Sequence, residues 1–120
     1  MAQIKWHYHR KGWNTCTRAQ EFLVRNKIES GEVVDARKQS LGAKEALELA
    51  ESVSEIYSAR GKNITHIKLK DGPSEQELKD ALIGPTGNLR APSIKVGDKL
   101  LVGFNEDLFN NFFKATAKAK

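Results

Sequence analysis

The residues able to do chemistry concentrate between His9 and Arg18, where the chain reads His-Arg-Lys-Gly-Trp-Asn-Thr-Cys-Thr-Arg. A cation-crowded loop here runs into a helical pattern, so it ends at the free amides of a helix N-terminus, a place that stabilises an anion or a thiolate. Cys16, the one cysteine of the chain, falls in that first turn, with Lys11 and Arg18 close enough in sequence to favour its thiolate. The same residue could serve as a small buried hydrophobe, the commoner fate of a lone cysteine. One cysteine excludes an internal disulfide and a cysteine-rich zinc site. No metal site is therefore expected, and any redox step through Cys16 needs a second molecule.

Two elements must position this loop. Ile4, Trp6 and Tyr8 alternate with Lys5, His7 and His9, the period of a strand. Gly12 breaks it, and Asn14 or Thr15 caps a helix through residue 27 whose inward face carries Ala19, Phe22 and Leu23. Val33 and Val34 mark a short second strand. Ser40 then opens a longer helix, with Ala46, Leu47, Leu49, Ala50, Val53, Ile56 and Tyr57 recurring every three or four residues. One more step reaches Arg60, on the buried face just before the stop signal Gly61, where its charge would need a partner. Residues 64–69 read equally as a strand or an extended connection. Ser74 and Glu77 have capping-box spacing for a helix that carries Leu78, Ala81 and Leu82. Pro92 to Val96 and Leu100 to Gly103, joined by Gly97-Asp98, read as an antiparallel hairpin. Asn105 caps a last helix with Leu108, Phe109, Phe112 and Phe113 as its apolar face. The order is βαβ, a helical insert over about 40–83, then ββα: an α/β protein forming a single domain over residues 1–120.

At 120 residues and 39% apolar side chains, one core is expected. No apolar run has the length of a signal peptide or a membrane span, so the expectation is a cytoplasmic protein without a membrane partner. A net charge of +5 favours acidic partners or small anions. No basic stripe interleaved with aromatics stands out, and direct nucleic-acid binding is not expected.

The run Leu89-Arg-Ala-Pro-Ser-Ile-Lys-Val-Gly-Asp-Lys-Leu-Leu-Val-Gly-Phe-Asn-Glu-Asp107 resembles the arginine-proline strand, hairpin and last-helix entry of the arsenate reductase (ArsC) and Spx family. Tyr8-His9, followed after four residues by Asn14-Thr15-Cys16-Thr17-Arg18-Ala19, is similar to that family's active-site loop and first helix. Ser58-Ala59-Arg60-Gly61-Lys62 resembles the end of its helical insert. The resemblance covers nearly the whole chain, with Ile64 to Asp71 a poor fit. It implies a thioredoxin-like fold with a mixed four-stranded sheet.

The resemblance also implies a reactive cysteine at the position of Trp13, with Cys16 as the resolving partner of a Cys-x-x-Cys pair. This chain has Trp-x-x-Cys instead, and three readings stand open. Trp13 is a tryptophan in a degenerate site, unable to do thiol exchange; or it marks a selenocysteine, whose codon UGA is one base from UGG; or Cys16 acts alone. His9 aligns with the histidine that the family places four residues before its nucleophile, where a cation would lower that group's pKa. Asn14 and Thr15 line the loop as candidate substrate-binding residues. Arg60 and Arg90 are candidates for an oxyanion clamp, since guanidinium forks suit tetrahedral anions and carboxylates. The reductases carry arginine immediately before the proline, whereas this chain has Ala91 there, and one step along a strand reverses a side chain's direction. Pro92 is expected to be cis, placing the Ala91 backbone beside the Cys16 loop. The implied activity is a thiol or selenol oxidoreductase acting on a small thiol, an oxyanion or a redox partner protein. It would bind no cofactor, and glutathione or thioredoxin would supply electrons. The alternative is a catalytically silent regulator that, like Spx, binds a protein such as RNA polymerase.

Overall fold

The computed structural model describes residues 2–85 and 87–118. Its elements are β1 (Ala2–His9), α1 (Asn14–Arg25), β2 (Glu29–Asp35), α2 (Ala43–Glu51), β3 (Glu55–Arg60), β4 (Asn63–Lys68), a 3-10 turn (Leu69–Asp71), α3 (Glu75–Leu82), β5 (Ser93–Val96), β6 (Lys99–Val102) and α4 (Glu106–Lys118). Six strands form one mixed sheet in the order β2-β1-β5-β6-β3-β4. β1 is parallel to β2 and antiparallel to β5; β5 is antiparallel to β6, and β6 is parallel to β3. Four strands, β1, β2, β3 and β6, therefore run the same way.

Both sheet faces are covered. Ala19, Phe22 and Leu23 of α1 pack with Phe109 and Phe113 of α4 against Ile94 and Leu101, the inward face that the apolar spacing predicts. Phe22 and Phe109 meet edge to face with ring centroids 5.5 Å apart, the arrangement the ring quadrupoles favour. On the other face Ala46 and Ala50 of α2 and Leu78, Ala81 and Leu82 of α3 cover Tyr8, Ile56, Leu100 and Val102. Two caps behave as expected from sequence: Ser74 Oγ accepts from the Glu77 amide at 3.1 Å, and Asn105 Oδ1 accepts from the Leu108 amide at 2.9 Å.

Several expectations are corrected. The sheet has six strands, not four, because the segment expected to be a helical insert contributes the β3–β4 hairpin. The helix opening near Ser40 begins at Ala43 and stops at Glu51, where Ser52 Oγ bonds back to Leu49 O at 2.7 Å. Ile56 and Tyr57 belong to β3, between β6 and β4, so their side chains enter opposite faces of a covered sheet. A strand buried on both faces loses its period of two and can be mistaken for a continuing helical stripe. Residues 64–69 resolve into β4 and the start of the 3-10 turn. Helix α1 ends at Arg25 rather than 27, and its N-cap is Trp13, without a side-chain cap from Asn14 or Thr15.

Phe109 is fully buried among Phe22, Phe104 and Phe113. Phe109→Ala should cost about 3–5 kcal/mol in urea denaturation, whereas Val24→Ala, at a position 66% exposed, should stay within about 0.5 kcal/mol of the parent.

Candidate active site

The loop after β1 is built around Arg10. Its backbone N–H donates to Cys16 Sγ at 3.3 Å, its carbonyl accepts from the Trp13 amide at 3.3 Å, and its guanidinium carbon lies 4.7 Å from the centre of the Trp13 ring. Gly12 takes a φ of +96° inside this turn, a conformation that a side chain would strain. Trp13 then caps α1, its carbonyl accepting from the Thr17 amide at 2.9 Å. Trp13 is 41% exposed, while Cys16, three residues on, is fully buried. Asn14 and Thr15 are exposed in the first helical turn. Arg10 is the functional candidate that the motif comparison passed over; the cationic character of the loop was its one signal.

Burial alters the chemistry expected of this loop. The Cys16 thiol is pushed up by burial, against the opposing pull of the Arg10 amide and charge. The expected dipole-stabilised thiolate is thus corrected to a neutral thiol packed with Tyr8 and Ala91 in the core, because desolvation outweighs the helix terminus. His9 was expected as a cation. Burial instead pushes its pKa down, with Asp35 pulling the other way, and among the described residues its buried Nδ1 has no hydrogen-bond partner. Edge to face with it, at 5.4 Å, stands His7. Only 1% of His7 is exposed, and Nδ1 meets Ser30 Oγ at 3.2 Å. Burial, assisted by His9, lowers its pKa to about 4.

The expected oxyanion clamp is not assembled on the loop. Arg60 is the exposed last residue of β3, not a buried helix residue, and its Nη2 donates to Asp80 O. Arg90 is half-buried: Nη1 donates to Ser58 Oγ at 3.0 Å and Nη2 to Ala59 O at 2.6 Å. Ser58 Oγ in turn donates to Ala81 O at 2.8 Å. Burial, and to a lesser extent the charge of the neighbouring Arg60, lower the Arg90 pKa. Among the described residues neither bonds to residues 13–16. The Ala91–Pro92 bond is cis, and Pro92 O accepts from the Gly103 amide at 2.7 Å.

The site thus joins Arg10, Trp13 and Cys16, with His9 on the adjoining strand end, and leaves Arg60 and Arg90 tied to β3 and α3. No family model matches the sequence, and no curated protein is similar to it. No described helix is long and apolar enough to cross a membrane.

Two expectations follow for solution. His7 titrates near 4 in the fold and near 6.5 in the unfolded chain. The unfolded state therefore takes up the proton first, and stability present above pH 6.5 is lost as pH falls towards 4. The loss should reach about 3 kcal/mol, read as the urea midpoint across that window, and His7→Phe should flatten it. Cys16 should react with iodoacetamide roughly tenfold or more slowly than a free thiol at neutral pH, with the difference abolished in urea.

Proposed function

We propose that this chain is a thioredoxin-like domain of the arsenate reductase and Spx kind, and that its redox centre is the pair of positions 13 and 16. Chalcogen exchange here requires a thiol or selenol at position 13. The observation that carries the reading is the contrast between the two positions: 13 is the exposed N-cap of α1, and 16 is a buried sulfur one turn on. Residues three apart on a helix lie roughly 5–6 Å apart, within reach of a disulfide. The sheet segment β2-β1-β5-β6 and the helix following β1 give further support.

In the exchange, the anionic chalcogen at 13 attacks one sulfur of a substrate disulfide, and the other sulfur leaves as a thiolate and takes a proton. Cys16 then loses its proton and attacks the mixed bond. It forms the 13–16 bridge and releases the second substrate thiol. Two thiols, from glutathione or a thioredoxin, reduce the bridge. Tryptophan at 13 cannot begin this sequence. One observation favours the second reading, a catalytically silent protein-binding regulator: the exposed indole of Trp13 lies against the Arg10 guanidinium, an aromatic and cation pair of the kind that anchors protein interfaces.

Trp13→Cys should form an intramolecular disulfide that dithiothreitol reduces, seen as a loss of two hydrogens by mass spectrometry and absent in the W13C/C16S double variant. Two persistently free thiols in Trp13→Cys would falsify the redox-loop reading. An in-frame UGA at codon 13 of the gene identifies the selenol enzyme. UGG together with a bridge-forming but turnover-less Trp13→Cys identifies the binding regulator.

A further inference from the structure

We infer that the sheet edge carrying the Trp13 loop is a docking face for an acidic protein surface. This deepens the proposed reading by naming the partner's chemistry, and it rests on that reading only for what happens once the partner is seated. Because β1, β2 and β3 run the same way, the segments leaving their carboxyl ends emerge on one edge, and each opens with basic residues: Arg10 and Lys11 after β1, Arg37 and Lys38 after β2, Arg60 and Lys62 around the end of β3. Hydrogen bonds tie the β1 segment to the β2 segment and the turn after β3 to the start of α4. The Ala36 amide donates to His9 O at 2.8 Å, and Asn105 Nδ2 reaches Gly61 O at 2.8 Å.

The six cations keep their charge uncompensated, although Arg60 Nη2 donates to Asp80 O and the Arg10 guanidinium lies over the Trp13 ring. Among the described residues none of them pairs with a carboxylate. Of the acidic residues at this edge, Asp35 uses Oδ1 to accept the Arg37 backbone amide at 2.9 Å, and Glu106, which with Asp107 opens α4 after β6, lies 3.9 Å from Arg25. The opposite edge differs. There Lys99 pairs with Glu55 at 2.9 Å and with Asp98 at 3.4 Å, and His66 meets Glu55 at 2.6 Å. Uncompensated charge on one edge steers an oppositely charged surface towards it.

The span favours a protein. From β2 to β3 the sheet crosses four strand spacings, about 19 Å, which is wide for one small anion and suited to spaced carboxylates. A single-stranded nucleic acid uses successive stacking platforms, and among the described residues Trp13 is the one aromatic that is both large and exposed. Seated here, an acidic partner meets the Trp13 indole on its Arg10 guanidinium, beside Cys16.

The test uses the full chain and two fluorescent probes of equal charge, poly-L-glutamate and oligothymidylate, followed by anisotropy at low and physiological ionic strength. Poly-L-glutamate should bind at low salt and weaken as salt rises. The doubles R37A/K38A and K11A/K62A should each bind about tenfold more weakly, and K68A/K70A, at the opposite edge, should change by less than about twofold. Absence of poly-L-glutamate binding at low salt overturns the inference, as does an equal loss in K68A/K70A. Tighter binding of oligothymidylate, lost in R37A/K38A, reassigns the face to nucleic acid and also overturns it. None of these outcomes depends on position 13, so a failed 13–16 bridge and a failed docking face are read separately.

Discussion

The pairing of β1 on both sides constrains everything that follows. Parallel to β2 and antiparallel to β5, this strand makes ladder bonds along both edges, and its carboxyl end is fixed relative to every other strand. A parallel neighbour cannot be reached by a tight turn; the chain must cross over a face of the sheet, and α1 makes that crossing. The same requirement, met between β6 and β3, brings four strand ends to one edge. Loops emerging there lie side by side although tens of residues separate them in sequence. The position of the Trp13 loop beside the Asp35 segment, and at the same edge as the Arg60 segment, is thus a consequence of strand direction, not of local attraction between cations that repel one another.

Arg90 shows how a residue suited to anion binding can be consumed by architecture. Its two terminal nitrogens satisfy Ser58 Oγ and Ala59 O, fastening the approach to β5 onto β3 while Ser58 passes a further hydrogen bond to α3. Gly103 is part of the same fit. A Cβ at that position would stand 2.6 Å from Ala59 O and 3.0 Å from Arg90 Nη2, at a φ of +82°. A half-buried guanidinium needs such partners, since removing them leaves a charge neither solvated nor paired. A substrate anion would have to displace bonds that already hold three elements together.

Much of this was legible in the chain. The alternation around Trp6 and Tyr8, the Ser74–Glu77 box, the Gly97-Asp98 hairpin and the Asn105 cap are local chemistry, and each stands in the structure where its residues point. Residues 52–60 were not legible, because burial on two faces puts Val53, Ile56 and Tyr57 at spacings a helix could also have used, and only the pairing with β4 and β6 decides between them. The candidate site was legible by residue type and not by state. Sequence places Cys16 in a first helical turn, but how far the turn sinks into the core depends on Tyr8 and Ala91. Tyr8 comes from β1 and Ala91 from the bend before β5, far along the chain.

That burial bears on which step Cys16 can serve. A thiol raised by desolvation is poorly ionised at neutral pH, so it is a weak first attacker on a free disulfide. The same thiol is well suited to act second, once a bond to its exposed neighbour has formed, because proximity then replaces ionisation as the source of rate. Arg10 supports this division. Its amide holds the Cys16 sulfur while its guanidinium rests on the side chain at position 13, so one residue orients both positions. On the proposed reading, the loop is ordered around a buried second partner, and its chemistry is decided by the atom that position 13 presents to solvent.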